Sequence, residues 1–545
     1  MPAISSFGGI FPRLAEHNLP ANAATVAHDV KLRNGKIEAW RERNPMQEVG
    51  ANDVSFFLHG CCVYSWETCV HATDYVVDYG RMFLTGRSPY PETGLYSANC
   101  GITYYRLGVP KPAKGIEVSV ADDNMEGRDC AQRSYCYTYT NLFGEEGAPS
   151  AVSRHITVKD GTAVTLSGFD SPDETYGVTA VNIYRTATAI TDGEVSESLK
   201  AMQTVFLFVA TIPVGQTQFT DTVLEKDLGI ALTTDDDREP PADMRNISYL
   251  KGTGILAGVT DNMVHFSKAY QPHNFPAEND LTLPVNIVNT VAFGSILFVT
   301  TDGNPYVIDS TKACEENQCR PVEDTNISLP DISCRHAHSA IATPYGCVYS
   351  SKDGLVLLQP DSNVELITAP YFSADDWAKL RPDTVRLAFW RGYIICVTDV
   401  ISFMIEFSNK MYGDNALGAM TTISDKPIDL LASNTDELIF MEDGYLWHWN
   451  AGGTYRKYVW ESRPINFGGE SSPNSVKVKS NNTTFRLIAD EINSETLYER
   501  RIISDKPVRL ARLGRHYNYK IGLTGTGTVD YVDFGTMFTT INAGR

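Results

Sequence analysis

The chain has 545 residues, of which 43% are hydrophobic and 21% charged, a composition typical of globular proteins with sizeable cores. Its 46 Lys and Arg residues face 66 acidic residues, giving a formal net charge of -20. This balance argues against general phosphate binding, which is built from clustered cations. The N-terminus lacks a basic region followed by an apolar one, and the most apolar run, Tyr393–Phe407, is interrupted by Asp399. We therefore expect neither a secretory signal nor membrane insertion.

The eleven cysteines are an odd number on a long chain. Disulfide frameworks are typical of short secreted chains with even numbers of cysteines. We therefore expect folding in a reducing cytoplasm without such a framework.

Residues 1–50 are predicted to form an N-terminal arm. The stretch SFGGIFPRL places two glycines, which are free in φ, before a proline whose φ is fixed. This pattern favours an extended segment with a bend, which apolar side chains would anchor on an adjacent domain. We expect a subunit or domain interface that includes Phe7, Gly8, Gly9, Phe11, Pro12 and Arg13.

Residues 51–125 and 236–460 are predicted to form two parts of one β-propeller. In the second part, two apolar runs flank a turn aspartate five times, at Asp261, Asp302, Asp353, Asp399 and Asp443. Such alternation predicts β-hairpins with tight turns, because Asp, Asn and Gly tolerate positive φ. A hairpin roughly every 40 to 50 residues is typical of propeller blades. Five copies would leave an open ring, so N-terminal strands are expected to close it, giving about six blades.

Three further regions complete an all-β prediction. Residues 126–235 consist of short alternating segments such as VNIYR, typical of an inserted β-sandwich with fibronectin-like strands in a rotated order. The acidic stretch 232–244 then predicts a solvated linker. Alternation in residues 461–545 predicts a small C-terminal β domain. The clearest short helix is expected at Ser373–Leu380.

Motifs for cofactors and metals are weak. The glycines in KGTGILAG and GLTGTGTV resemble a dinucleotide loop, but the residues around them have the pattern of strands, so no cofactor is expected. The best metal candidate is a Cys/His cluster in which two histidines would share one face of a strand. Buried thiols and surface histidines are the simpler interpretation of this cluster, which comprises Cys314, Cys319, Cys334, His336 and His338.

Catalysis is not expected. The chain has no G-x-S-x-G nucleophile elbow, although paired carboxylates brought together from distant blades stay open as an alternative. The stretch HFSKAYQPHNFP contains two histidines but no evident partner acid. We interpret it as an outgoing strand and a proline-bracketed loop. In this interpretation Tyr270, Gln271 and His273 belong to a subunit or domain interface.

Several motifs occur in an order that resembles one known family. SFGGIFPRLAEHNLPANAATVAHDVKLRNGKIEAWR is similar to the N-terminus of tail nozzle proteins of short-tailed bacteriophages, also called tail tubular protein B or tail hub proteins. YTYTNLFGEEGAPS, VNIYRTA, VHFSKAYQPHNFP, CRHAHSAIATPYGCVYSSKDGLVLL, TFRLIAD and YKIGLTGTGTV resemble the same family. The similar segments span almost the whole chain.

The resemblance implies a structural virion protein located in the tail and made in the host cytoplasm. Members form a homo-hexameric ring at the distal tail, below a head-to-tail adaptor protein, and dock tail fibres or spikes. Genomic DNA passes through the channel without sequence recognition during ejection. No enzymatic activity is implied.

Two other function classes remain open. A propeller lectin or glycan-cleaving enzyme acting on host-surface polysaccharide would use aromatic side chains such as those of residues 78–96. A scaffolding repeat protein of the bacterial cytoplasm would have the same blades. Binding to glycan arrays or release of polysaccharide would distinguish the first class from a nozzle.

Overall fold

A computed structural model describes residues 3–78, 80–126, 130–186, 189–190, 205–312, 319–321, 332–407, 418–433, 436–471, 473–489, 495–503, 505–510, 513 and 515–535. The predicted all-β class is confirmed, with many small sheets. Contacts divide the chain into two compact units. Unit 1 comprises Met1–Cys69, Phe298–Val307 and Cys319–Arg545, and unit 2 comprises Val70–Leu297 and Ile308–Gln318.

The strands of the N-terminal half are β1 (Ala3–Ile4), β2 (Ala24–His28), β3 (Val30–Lys31), β4 (Glu38–Ala39), β5 (Asn44–Glu48), β6 (Ser55–His59), β7 (Cys62–Trp66), β8 (His71–Asp74), β9 (Arg81–Thr85), β10 (Glu92–Tyr96), β11 (Ile102–Arg106), β12 (Glu117–Ser119), β13 (Cys130–Arg133), β14 (Tyr135–Asn141), β15 (Ile156–Lys159), β16 (Val164–Ser167), β17 (Val178–Thr186), β18 (Ala189–Ile190), β19 (Phe206–Pro213), β20 (Gln218–Asp221), β21 (Arg245–Leu250), β22 (Ile255–Val259), β23 (Met263–Phe266) and β24 (Leu281–Thr282).

The strands of the C-terminal half are β25 (Ile287–Phe293), β26 (Ile296–Thr301), β27 (Tyr306–Asp309), β28 (Cys319–Pro321), β29 (Ile341–Thr343), β30 (Gly346–Ser350), β31 (Leu355–Leu358), β32 (Val364–Leu366), β33 (Arg386–Trp390), β34 (Tyr393–Val397), β35 (Ser402–Glu406), β36 (Met420–Ile423), β37 (Asp429–Ala432), β38 (Leu438–Glu442), β39 (Tyr445–His448), β40 (Tyr458–Ser462), β41 (Ile465–Ser471), β42 (Ser475–Ser480), β43 (Thr483–Ala489), β44 (Thr496–Ile502), β45 (Val508–Arg509), β46 (His516–Gly525) and β47 (Val529–Gly535).

Helix is scarce in the described residues. The predicted helix is confirmed as α1 (Ala374–Lys379), with the Ser373 hydroxyl accepting from the Asp376 amide as an N-cap. Short 3-10 turns occupy Glu16–Asn18, Arg33–Gly35, Glu174–Tyr176, Glu225–Asp227, Ala277–Asn279, Ser310–Lys312, Ala337–Ser339 and Pro382–Thr384. No helix among the described residues is long and apolar enough to cross a membrane.

Unit 2 contains two antiparallel four-stranded sheets, β8 to β11 and β21 to β24, each ordered as in the chain. Their first strands, β8 and β21, pack against each other, and β21 also packs against β25. Phe83, Tyr75, Tyr249 and Leu256 lie in the core that they share. Neighbouring sheets therefore meet through their first strands.

A second part of unit 2 comprises three small sheets, β12-β16-β20, β15-β13-β18 and β14-β17-β19. They enclose one core in which Tyr135, Tyr137 and Tyr139 of β14 are buried. β14 pairs with β17 in antiparallel register, with Tyr137 opposite Ile183. The segments predicted to be alternating strands between residues 126 and 235 form these sheets together with β12, which lies before the predicted boundary at residue 126.

Unit 1 contains the four-stranded meanders β29 to β32 and β33 to β36, and β37 to β39 form a further sheet with β5. β5 lies beside β39, with Glu48 opposite Tyr445. A strand from the first 50 residues thus completes a sheet made by residues 429–448. The first strands pack here as well, β29 against β33 and β33 against β37.

Strands flank all five predicted turn aspartates. At four of them the two flanking strands pair as an antiparallel hairpin; these are Asp261, Asp353, Asp399 and Asp443. The turns were predicted from residues that tolerate positive φ, and of the five aspartates only Asp443 has it, at 54°, followed by Gly444 at 74°. Three other turns are closed by a hydroxyl that precedes the aspartate and donates to a carbonyl within the turn. The pairs are Thr301 to Asn304 O at 2.8 Å, Ser351 to Gly354 O at 2.9 Å and Thr398 to Ile401 O at 2.9 Å.

The N-terminal strands also join the C-terminal part of unit 1. β1 extends the sheet β47-β42-β45, and β2 lies between β36 and β40 in one large sheet. β2 runs parallel to β36 and antiparallel to β40. Residues 3–28 thus connect the meander at residues 386–423 with the C-terminal sheets.

Candidate functional site

Two groups of residues were predicted to form interfaces, the arm in unit 1 and the 270–273 loop in unit 2. In the arm, the Gly8 amide donates to Asn22 O at 2.7 Å, and the Ala24 amide donates to Gly9 O at 2.9 Å. A Cβ on Gly9 would lie 2.3 Å from Met420 O, closer than any side chain permits. Glycine is therefore required where the arm crosses β36.

Phe7 anchors the arm on the C-terminal sheets. Its side chain is 2% exposed, and its ring meets Trp460 edge-on with centroids 5.0 Å apart. The Trp460 indole N–H donates to Gly8 O at 3.0 Å. The aromatic contact and the hydrogen bond together fix the first turn of the arm.

The following residues contact the core beneath α1. The Phe11 ring stacks on Tyr371 with centroids 5.4 Å apart. The Arg13 amide donates to Tyr371 O at 2.9 Å, and its guanidinium donates to Ala369 O at 2.7 Å. Pro12 lies exposed in the turn between them. The arm therefore links two cores of unit 1, and its contact with another subunit stays a prediction.

The 270–273 loop follows β23 as expected. Tyr270 has φ 59°, is 61% exposed, and donates its amide to Gly254 O at 2.8 Å. The Gln271 amide donates to Lys268 O at 3.1 Å. The side chain of His273 is 10% exposed and faces inward. The loop therefore presents one aromatic ring to solvent and buries one imidazole.

His273 contacts a buried carboxylate, Glu145, with Nδ1 3.7 Å from Oε1. The same oxygen accepts from Arg81 at 2.9 Å, and Oε2 accepts from the Asn141 amide group at 2.8 Å. The Arg81 guanidinium lies 3.7 Å from the centroid of the Phe143 ring. Burial opposes ionisation of Glu145, but His273, Arg81 and Asn141 outweigh it and lower its pKa to about 2.

The Glu145→Gln variant should remove an acid-dependent part of the stability. Because the folded pKa lies below the ordinary 4.5, ionised Glu145 stabilises the fold above pH 4.5, and this contribution falls as pH drops toward about 2. The wild type should lose on the order of 3 kcal/mol relative to Glu145→Gln across that interval. Thermal unfolding at several pH values measures it. Glu278→Gln, at an exposed position, serves as the control, and equal pH dependence of all three proteins would contradict the assignment.

His265 does have a partner acid, contrary to the prediction. Its Nδ1 lies 2.7 Å from Asp280 Oδ1, and its Nε2 lies 3.0 Å from Thr260 Oγ1. The order acid, imidazole, hydroxyl resembles a hydrolase triad. Here Arg238 binds both oxygens of Asp280, at 3.0 and 2.8 Å, and His265 is 4% exposed. The network ties the hairpin to the preceding linker.

That linker was predicted to be solvated, and this is wrong at Asp237. The Asp237 side chain is 6% exposed, lies 3.2 Å from the Lys268 ammonium and accepts from Asn274. The Phe275 amide donates to Arg238 O at 2.7 Å. The loop after β23 offers buried partners to this part of the linker, which local composition does not reveal.

The Cys/His cluster is only partly visible, because Cys314 and the side chain of Cys319 lie outside the described residues. The two histidines do not share a strand as expected, because residues 337–339 form a 3-10 turn. Burial raises the pKa of the Cys334 thiol, which contacts His336 O at 3.5 Å. Burial and the nearby Arg386 charge lower the pKa of His336. Cys334 is therefore a buried thiol in a β-bridge to Ser351, just before this turn.

Unit 1 also contains a buried ion cluster that the sequence did not predict. Asp425 accepts from Trp449 Nε1 at 2.9 Å, Arg456 Nη2 at 3.1 Å and Arg43 Nη1 at 3.3 Å. Asp29 lies 3.8 Å from Arg456. Asp425 and Arg456 side chains are 5% and 6% exposed. The residues of this cluster are far apart in the chain, so no local sequence pattern could have predicted their contact.

Comparisons with known proteins do not assign the chain to a family. No family model matches the chain, and no curated protein matches it. Solved structures with similarity include the AfRom2 CNH domain, 12% identical with TM-score 0.27, covering 61% of this chain and 98% of that one. BBS1N in complex with ARL6DN is 6% identical with TM-score 0.29, covering 76% and 96%, and Kluyvelomyces marxianus Hsv2 is 10% identical with TM-score 0.25, covering 64% and 95%. These TM-scores are too low to support a functional statement.

Proposed function

We propose that the protein is the tail nozzle of a short-tailed bacteriophage, a structural virion protein without enzymatic activity. The observation that carries the proposal is the ordered series of nozzle-like motifs along almost the whole chain. The first of these motifs is the arm, whose Gly9 and Phe7 make contacts that few substitutions would preserve. An N-terminal segment without a structural role would not need such contacts.

The proposal includes a β-propeller of about six blades. Its support is the set of four-stranded meanders, each beginning with a strand that packs against the first strand of a neighbour within the same unit. The completion of the β37–β39 sheet by β5 is the type of pairing by which a propeller joins early and late strands. The sheets around the β14 core would be the inserted fibronectin-like sandwich.

As a nozzle, the chain would form a homo-hexamer below the head-to-tail adaptor and dock tail fibres or spikes. The net charge of -20 suits a conduit for DNA, because carboxylates form none of the phosphate contacts that lysine and arginine provide. The lumen of the ring should accordingly be acidic. A basic channel wall in the assembled ring would contradict this part of the proposal.

The copy number in virions tests the proposal. Quantitative mass spectrometry of purified particles should give six copies of this chain per virion, and antibody labelling should place them at the distal end of the tail. The major capsid protein provides the internal standard. Absence of the chain from purified particles, or a location on the capsid, would contradict a nozzle.

A further inference from the structure

A polar cleft of about 410 Å³ lies in unit 1, between the β3–β4 hairpin, the segment before β40 and two turns of the C-terminal sheets. Its volume falls in the range of small-molecule sites. Its walls include Lys31, Glu38, Trp40, Arg41, Asn450 and Tyr455. Four of these residues lie in the first nozzle-like motif, but the nozzle proposal assigns no ligand to any of them.

Two asparagines present fixed amide groups in the cleft wall. The Arg41 amide donates to Asn450 Oδ1 at 2.7 Å, and the Thr528 amide donates to Asn481 Oδ1 at 2.8 Å. Because the carbonyl oxygen of each side chain accepts a backbone N–H, its NH₂ group remains as the donor for a ligand. Both amides are therefore oriented before any ligand binds.

The GTGT turn between β46 and β47 forms a further part of the wall. A Cβ on Gly527 would lie 2.2 Å from Asn481 Oδ1, so glycine lets this turn close against the asparagine. Thr526 Oγ1 accepts from the Asn482 amide group at 2.7 Å, which leaves the hydroxyl hydrogen of Thr526 as a donor. The glycine-rich stretch thus builds a hydroxyl-lined and amide-lined wall.

Aromatic surface completes the cleft. Tyr455 is 50% exposed, and the Arg41 guanidinium lies 5.1 Å from the centroid of its ring. Trp40 is 3% exposed, and its indole N–H has no hydrogen-bond partner in the part of the chain that the structure describes. Lys31 and Glu38 form an ion pair of 2.7 Å beside it. The cleft thus combines an exposed ring, fixed amide donors and a carboxylate acceptor.

We infer that this cleft binds a short saccharide. Sugar hydroxyls both donate and accept, which suits a wall of amides, a hydroxyl and the Lys31–Glu38 pair. The apolar face of a pyranose ring packs on an aromatic side chain such as Tyr455. A phosphate ligand would call for clustered free cations, whereas Lys31 is paired with Glu38 and the Arg41 guanidinium lies over the Tyr455 ring. The inference does not depend on the nozzle proposal.

Saturation-transfer difference NMR, with the full chain as receptor and saccharides as ligands, tests this site. The probes are maltotriose, lactose, chitotriose and trigalacturonate, each in millimolar excess. At least one should show saturation transfer, and Tyr455→Ala should weaken its binding about tenfold or more. Tyr517→Ala, a matched control, removes a tyrosine that is 63% exposed and outside the cleft, and should bind like the wild type.

Three results would overturn the inference: no transfer to any probe, equal binding by wild type and Tyr455→Ala, or equal loss in both tyrosine variants. A thermal melt of each variant separates loss of binding from loss of folding. If Tyr455→Ala melts early, Thr528→Val replaces it, because Thr528 lines the cleft at an exposed position and the variant keeps the backbone amide that binds Asn481. Virion copy number is unaffected by these outcomes, so the nozzle proposal is judged separately.

Discussion

Replacing Asp425 by alanine should lower the free energy of unfolding by about 3–5 kcal/mol, because it leaves a buried guanidinium without its main acceptor. Arg456, 6% exposed, would keep Asp29 at 3.8 Å and Glu42 at 3.4 Å as its carboxylate partners among the described residues, and Trp449 Nε1 would lose its acceptor. Denaturant or thermal unfolding, followed by tryptophan fluorescence, measures the loss.

The matched control is Asp399→Ala, which breaks the exposed Arg381–Asp399 pair and should cost only about 0–1 kcal/mol. The double variant Asp425→Ala with Arg456→Met should regain part of the lost stability, because it removes the uncompensated charge. Equal losses in Asp425→Ala and Asp399→Ala would show that the cluster is not a buried ion network.

Truncating Phe7 to alanine should cost about 3–5 kcal/mol, the usual range for removing a buried aromatic side chain. The ring is 2% exposed and packs on Trp460, so its loss leaves a cavity where the arm meets the C-terminal core. Release of the arm should also expose the bond after Arg13 and accelerate tryptic cleavage there. Thermal melts and timed proteolysis measure the two effects.

Leu14→Ala provides the comparison for Phe7→Ala, because Leu14 is 39% exposed and should lose little stability. If both variants melt alike and are cleaved at Arg13 at the same rate, the arm does not hold the two cores together.

The hairpins and the short helix could be predicted because their signals are local. Apolar alternation around the turn aspartates and the Ser373 cap lie within a few residues of the structures they specify. The turn type was harder to predict. The hydroxyls of Thr301, Ser351 and Thr398 close their turns without positive φ at the aspartate, an arrangement that the Asp-Gly rule overlooks.

The sites depended on contacts between distant segments and could be predicted only in outline. The glycines and aromatic residues of the arm predicted a packed segment. No nearby sequence pattern predicted that Trp460 and Met420 would be its partners. Glu145 likewise lies far from Arg81 and His273 in sequence. Charged residues are usually exposed, so a composition-based expectation places them in solvent unless the fold supplies a partner.

The most direct test of the nozzle proposal is the native mass of the purified chain, alone and with the head-to-tail adaptor complex of the same phage. We expect six copies of the 60.2 kDa chain to join each adaptor ring. A chain that does not bind the adaptor complex at any concentration would contradict the proposal.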